Sequence, residues 1–379
     1  MEKEIVVKKF DFQYYEELKE FIAKYWRKDH PVILSDALFR WQYYGYGILR
    51  GYDNFQLLFD QDKLIGFRAV IPLDLQITLN KKTKIESCMA SAMWMVSPDY
   101  RGMGLGYLIH NNTEKASEAS LAIGANPKTS VPLYLRGGYH EIKRFNRYIM
   151  PLSYDYSYLL FERCENKEIE GWIPAYQDVD DVKENNDVEE LEKVWLDFTS
   201  DINIVALHRS AEFWQWRYLD SPIFRYYIFG GKDKGGIIVV RIEHVMGAEK
   251  QNITALRIVE AIPSNKAMWF YGKDESFERL LKSVVAWGQK QGCAVVDFHC
   301  TTNRLYPVFR NVGFVEQPLN FQPNILSLSD FFQPIEHKVH HYNGYLRLSD
   351  KEANEWFDYQ DSYFVRTDTD QDRVNIITV

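Results

Sequence analysis

The sequence is poor in the features that mark an extracellular, membrane-embedded or nucleic-acid-coating chain. Its 379 residues include only 4 cysteines, Cys88, Cys164, Cys293 and Cys300. They are spaced neither as a zinc site nor as a disulfide framework, so a reducing cytoplasm is the expected setting. No apolar run reaches the ~18 residues a membrane span needs, and the opening "MEKEIVVKKFDF" lacks the marks of a secretory signal. Positive charge is in deficit: 45 Lys and Arg against 53 Asp and Glu leave a net charge of −8, which opposes a large nucleic-acid surface. Low-complexity tracts are absent.

What the chain does have is aromatic side chains, 15% of all residues, enough for large cores and for a site that stacks rings. At this length two domains are expected, and the two halves look related. A shift of 175 residues lays "VPLYLRGGY" (131–139) on "YPVFRNVGF" (306–314), "SLAIGAN" (120–126) on "VVDFHCT" (295–301), and Trp41 on Trp216. A shift of 171 matches two hairpin patterns, 57–67 and 227–238. Ala-Met-Trp recurs at 92–94 and 267–269, although "ALRIVEAI" (255–262) competes as the strand equivalent to 88–97. One duplication explains these matches together. The expected architecture is α+β: two tandem units, 1–175 and 185–379, each a mixed, mostly antiparallel sheet flanked by helices. The polar stretch 178–193 is read as the joint.

"PDYRGMGLGYLI" (98–109) places three glycines in five positions where a strand hands over to a helix. A helix start offers about four unpaired N–H groups and roughly half a positive charge. Gly102, Gly104 and Gly106 would let an anion approach that backbone with no Cβ in the way, and Arg101 adds a fixed charge. A P-loop is excluded, because no Gly-Lys-Ser/Thr follows, and so is the dinucleotide fingerprint, whose glycine spacing differs.

"VSPDYRGMGLGYLI" resembles the acyl-CoA-binding motif of the GNAT (GCN5-related N-acetyltransferase) superfamily, with its Arg/Gln-x-x-Gly-x-Gly core on Arg101, Gly104 and Gly106. "NPKTSVPLYLRGGY" is similar to that family's downstream segment, with Tyr139 in place of its phenylalanine. The doubled arrangement, "EFWQWRYLDSP" (212–222) and the terminal "VRTDTDQDRVN" (365–375) further resemble two-domain GNAT sugar N-acyltransferases. The resemblance implies that coenzyme A, as acyl-CoA, binds along Trp94, Met95 and Val96 and over Arg101, Gly102, Met103, Gly104, Leu105 and Gly106, with Asn126 nearby. It implies that Tyr134 is the general acid that protonates the leaving thiolate. The second half has "GKDESFERLL" in place of the glycine turn and Phe309 in place of the tyrosine, so one acyl-CoA site is expected rather than two.

The base is open between a water, Glu86, Ser91 and His140. Arg217, beside Trp216, is the expected phosphate or sugar contact. Asp370, Asp372 and Arg373 are expected to reach the acceptor site on a tail whose "WFDYQDSYFV" (356–365) looks strand-like and buriable. Arg136, Lys143, Arg144 and Arg147 read as a solvated basic face. No metal is expected: "HKVHH" (337–341) lacks a completing ligand, and the Asp368/Asp370/Asp372 spacing lacks the glycine a calcium loop needs.

The function implied is transfer of an acetyl or 3-hydroxybutyryl group from acyl-CoA to the amine of a nucleotide-linked, dTDP-type amino deoxy sugar, in surface-polysaccharide (O-antigen) synthesis. Two other classes fit a doubled GNAT pattern. An aminoacyl-tRNA-dependent peptide-bridge transferase is opposed by the net charge. A non-catalytic binding module is opposed by the intact turn and Tyr134.

Overall fold

The computed structural model describes residues 4–46, 54–162, 169–177, 179–246, 252–318, 327–333, 335–336 and 342–373. Two mixed sheets carry the architecture, and they exchange strands. The first runs β1 (Ile5–Lys9), β2 (Phe55–Asp60), β3 (Lys63–Leu79), β4 (Lys82–Val96), β5 (Ala119–Ile123), then a strand from far downstream, Gly344–Leu348, and β6 (His140–Ile142). The second runs Tyr227–Gly231, Gly236–His244, Thr254–Pro263, Cys293–Cys300, then β7 (Asn146–Pro151) from upstream, and Val315–Glu316.

Each half thus lends one strand to the other. β7 lies between Cys293–Cys300 and Val315–Glu316, as Gly344–Leu348 lies between β5 and β6. Both sheets therefore hold residues from both sides of the 178–193 joint. The Trp41 and Trp216 rings stack at 5.3 Å, and each indole N–H donates to the other's carbonyl, at 2.7 and 2.8 Å. These two residues, matched by the 175-residue shift, thus meet reciprocally, as equivalent residues do across a local two-fold.

Local chemistry explains the elements. Helix α1 (Tyr15–Tyr25) buries Leu18, Phe21 and Ile22 on one face, and Glu16 and Glu17 in its first turn complement the helix dipole. Asn80 and Lys81, both at positive φ, make the two-residue turn that joins β3 to β4. The strand equivalent to β4 is Thr254–Pro263: both run parallel to the strand that follows them. The second Ala-Met-Trp lies on a short helix, Ala267–Tyr271. Among the described residues no helix is long and apolar enough to cross a membrane.

Candidate active site

β4 and β5 pair in parallel from Cys88↔Ala119 to Ser91↔Ala122 and then part. The divergence has a local cause. Across β3, Ala69 faces Met93 while Val70 faces Ser91, so Ala92 is an extra residue that bends β4 away. The parted strands open a groove of about 650 Å³.

At one end lies the glycine turn. Gly102 and Gly104 have φ of 81° and 74°, left-handed backbone that favours glycine, and a Cβ on either would meet no protein atom within 4 Å. Gly104 caps the helix Leu105–Glu114 and supplies no side-chain acceptor to its first N–H groups. Arg101 and Gly106 border the groove, and Met103 is exposed. Leu105 is buried in an apolar cluster with Tyr100 and Ile109, so only its backbone is available at the turn.

Trp94, Met95 and Val96 on β4 and Asn126 after β5 line the walls. Trp94 rests on a charged floor. Its ring stacks on His110 at 5.1 Å, and the Arg68 guanidinium lies 4.9 Å from its centroid. Glu114 ties the floor together: Arg68 donates to it at 2.8 Å, Arg347 at 2.9 Å and Ser120 at 3.2 Å. Burial pushes the Glu114 carboxyl up, but Arg68, His110 and Arg347 together hold it below its ordinary value. Burial, then Arg68, push His110 down to about 4, so it is neutral at pH 7. Tyr134 is buried and donates to Ser91 Oγ at 3.0 Å, at the point where the strands part.

A second, smaller chamber of about 100 Å³ adjoins the groove. Trp26, Asp370 and Arg373 border both. Arg217, on a wide π-helical turn (Gln215–Leu219), lines the chamber. It donates to the Thr369 carbonyl at 3.2 Å, lies 5.1 Å from the Trp41 ring, and leaves its buried Nε without a protein partner. Asp372 lines the chamber too, but Arg241 holds its Oδ1 at 2.8 and 3.0 Å and Tyr226 donates to its Oδ2 at 2.7 Å. Its oxygens are thus committed to the protein, against the expectation of a substrate contact.

The tail also departs from the expected continuous strand. It folds as a helix (Lys351–Trp356), a tight turn and a two-residue strand, Ser362–Tyr363. Asp350 caps that helix, and Asp358 starts the turn. Arg147, read as part of a basic face, is buried against Asp297 and Asp330. Of the residues considered as base, Ser91 accepts from Tyr134, Glu86 pairs with Lys84, and His140 bonds Asn354, with neither Glu86 nor His140 bordering the groove. The 337–341 histidines lie outside the described residues. Sequence reasoning missed Trp26 and His30 of the chamber and the His110–Glu114 floor. The i, i+4 spacing of His110 and Glu114 on a helix was the available signal.

In the second half the equivalent cleft is filled. Thr254–Pro263 and Cys293–Cys300 pair as far as Ile258↔Phe298 and then part. The chain's own segment 362–368 enters the gap. Val365 bridges Cys300, and Tyr363 Oη contacts the Ala261 N–H and carbonyl at 3.0 and 3.1 Å. Asp368 closes a buried pair with Arg209 at 2.8 Å. Phe309, the counterpart of Tyr134, is fully buried and stacks on Phe298.

No protein-family model matches the sequence, and no curated protein matches it. Solved structures are similar in fold. A GCN5-related N-acetyltransferase from Kribbella flavida superposes at a TM-score of 0.52 and 13% identity, over 92% of this chain and 72% of its own. A conserved protein of unknown function from Enterococcus faecalis V583 does so at 0.54 and 12%, over 92% and 73%. Saccharomyces cerevisiae N-myristoyltransferase with bound myristoyl-CoA gives 0.50 and 12%, over 91% and 83%. Strands parting at a bulge, a glycine turn heading the next helix and a duplicated plan all agree with that likeness: the protein has the GCN5-related N-acetyltransferase fold, in tandem.

Proposed function

We propose that the protein is an acyl-CoA-dependent N-acyltransferase with a single donor site in its first half. One observation carries this reading: the groove between β4 and β5 opens where the glycine turn presents its bare helix start. The space over Gly102 and Gly104 is open, with no protein atom within 4 Å of where a Cβ would stand, so a pyrophosphate can approach the helix start there. Beyond Ser91, β4 pairs on its β3 side alone, leaving an edge along Trp94 to Val96 on which an extended amide-bearing arm can bond as an added strand. Acyl-CoA supplies the activated thioester. The chain supplies orientation, amide donors that favour charge on the carbonyl oxygen, and Tyr134, whose hydroxyl stands at the parting point to protonate the departing sulfur.

The acceptor is proposed to be the amine of a nucleotide-linked, dTDP-type amino deoxy sugar. Trp26, Trp41 and Phe224 give the chamber ring-stacking walls, Arg217 suits a sugar hydroxyl within it, and the half-exposed Arg373 at its border suits a phosphate. A volume of about 100 Å³ admits only the amine-bearing end, with the nucleotide remaining outside. The test of the donor site is calorimetry with CoA, expected to give one equivalent per chain; two equivalents, or none, would refute it. The test of the acceptor is thiol release from acetyl-CoA with a panel of dTDP-linked amino sugars.

A further inference from the structure

We infer that Asp370 is the general base of the transfer, the carboxylate that takes a proton from the acceptor's ammonium where the chamber meets the groove. This rests on the N-acyltransferase reading above. Asp370 borders both cavities, so an amine reaching the groove from the chamber passes it.

Its backbone is fixed on both sides. Arg217 holds the carbonyl of Thr369, and Arg366 donates to the carbonyl of Gln371 at 3.1 Å. The Gln371 amide donates to the Ile123 carbonyl at the end of β5 (3.1 Å) and to Asp370 Oδ1 (3.0 Å). Asp372 is clamped by Arg241 and Tyr226. The tail therefore holds one carboxylate against the groove with little freedom left to lose, the preorganisation a catalytic group needs.

The oxygens settle which aspartate this is. Three aspartates alternate along the tail, and two are committed: Asp368 to Arg209, Asp372 to Arg241 and Tyr226. Asp370 Oδ2 has Arg373 at 3.8 Å, beyond hydrogen-bond reach. The groups facing Asp370 are Arg217, Arg373 and Tyr43, with Arg27, His30 and Asp372 elsewhere on the chamber wall. Burial keeps Tyr43 protonated by raising it well above its ordinary value, and burial with Arg27 and Arg373 lowers His30 to about 4. Neither borders the groove, whereas Asp370 does. Burial raises the Asp370 carboxyl itself, against Arg373 and Gln371, which makes it a better proton acceptor than an exposed aspartate.

The step balances. The ammonium gives one proton to Asp370, and the freed nitrogen lone pair forms the C–N bond at the thioester carbonyl carbon. The C–S bond then breaks with its electron pair going to sulfur, which takes the Tyr134 proton. The new amide nitrogen loses a second proton, which restores Tyr134. Asp370 returns its proton to solvent, so one proton is released per turnover.

Two small amines used with acetyl-CoA separate a base from a structural residue, whatever the natural acceptor. Ethanolamine is an ammonium at pH 7, as alkylamines are; hydroxylamine is already neutral. Asp370→Asn should slow ethanolamine acylation ~10²-fold at pH 7, leave hydroxylamine acylation and calorimetric CoA affinity little changed, and recover as pH rises and solvent supplies free amine. Asp370→Glu, which keeps a carboxylate, should retain most of the rate. Wild-type ethanolamine acylation by Asp370→Asn, or equal loss with both amines, would overturn the assignment. Failure of the dTDP-sugar panel would refute only that acceptor, and absence of CoA binding would refute the donor site instead.

Discussion

The two clefts of this protein share one plan and have opposite fates. In each half a pair of parallel strands parts midway. In the first half the gap stays open as a groove walled by Trp94, with Tyr134 at its inner end and the glycine turn at its mouth. In the second, the tail lies in the gap as a strand would, and the tyrosine's counterpart is Phe309. The backbone edge that a parted strand leaves must be satisfied somehow. One half leaves it open, and the other bonds it to its own chain. The plug then continues to Asp370, at the border of the open groove, so the segment that fills one cleft also lines the other.

Breaking the difference at the open cleft should have the largest effect. Gly104→Val puts a branched side chain on left-handed backbone, at about 1–3 kcal/mol, and fills the space above the turn. Calorimetric CoA binding should fall below detection while the circular dichroism spectrum is unchanged. Breaking it at the filled cleft should instead unsettle the fold. Asp368→Ala leaves Arg209 with Glu260 as its carboxylate partner in the core. Glu260 still balances the guanidinium, so the loss is that of a charge-assisted hydrogen bond, about 1.5–3 kcal/mol, to be measured by denaturant unfolding. Intact stability in this variant would mean that the plug is not held by that pair.

Acid sharpens the comparison further. His110 has a folded value of about 4, against an ordinary value of about 6.5. Between those values the unfolded chain binds more protons, so stability is whole above about pH 6.5 and declines toward pH 4, by up to roughly 3 kcal/mol from this group. His110→Gln should show a shallower decline in urea midpoints over that window. In the second cleft, burial and then Arg147 press His299 down in the same direction.

Tyr134→Phe is the narrowest test. It converts the open cleft's tyrosine to the residue type found in the filled one. It should lower kcat for acetyl transfer by ~10² with KM for acetyl-CoA nearly unchanged. An unaltered kcat would leave Tyr134 as packing beneath the groove.

The sequence by itself determined the local pieces. Turn chemistry and glycine placement announce the open helix start after β4, because backbone at positive φ over open space favours glycine. Apolar periodicity announces helix α1, and a fixed 175-residue offset announces the like plan of the two halves, in which Trp41 and Trp216 meet reciprocally. The tertiary structure alone decided how these pieces share residues. Strand exchange sends β7 and Gly344–Leu348 each into the other half's sheet, as pairing depends on edges formed by segments remote in sequence. Local pattern could not tell Asp368, Asp370 and Asp372 apart, for they alternate in one short run. Which of them is neutralised in the core and which keeps an open oxygen is fixed by Arg209 and Arg241, more than a hundred residues upstream. Only folding brings those charges to the tail.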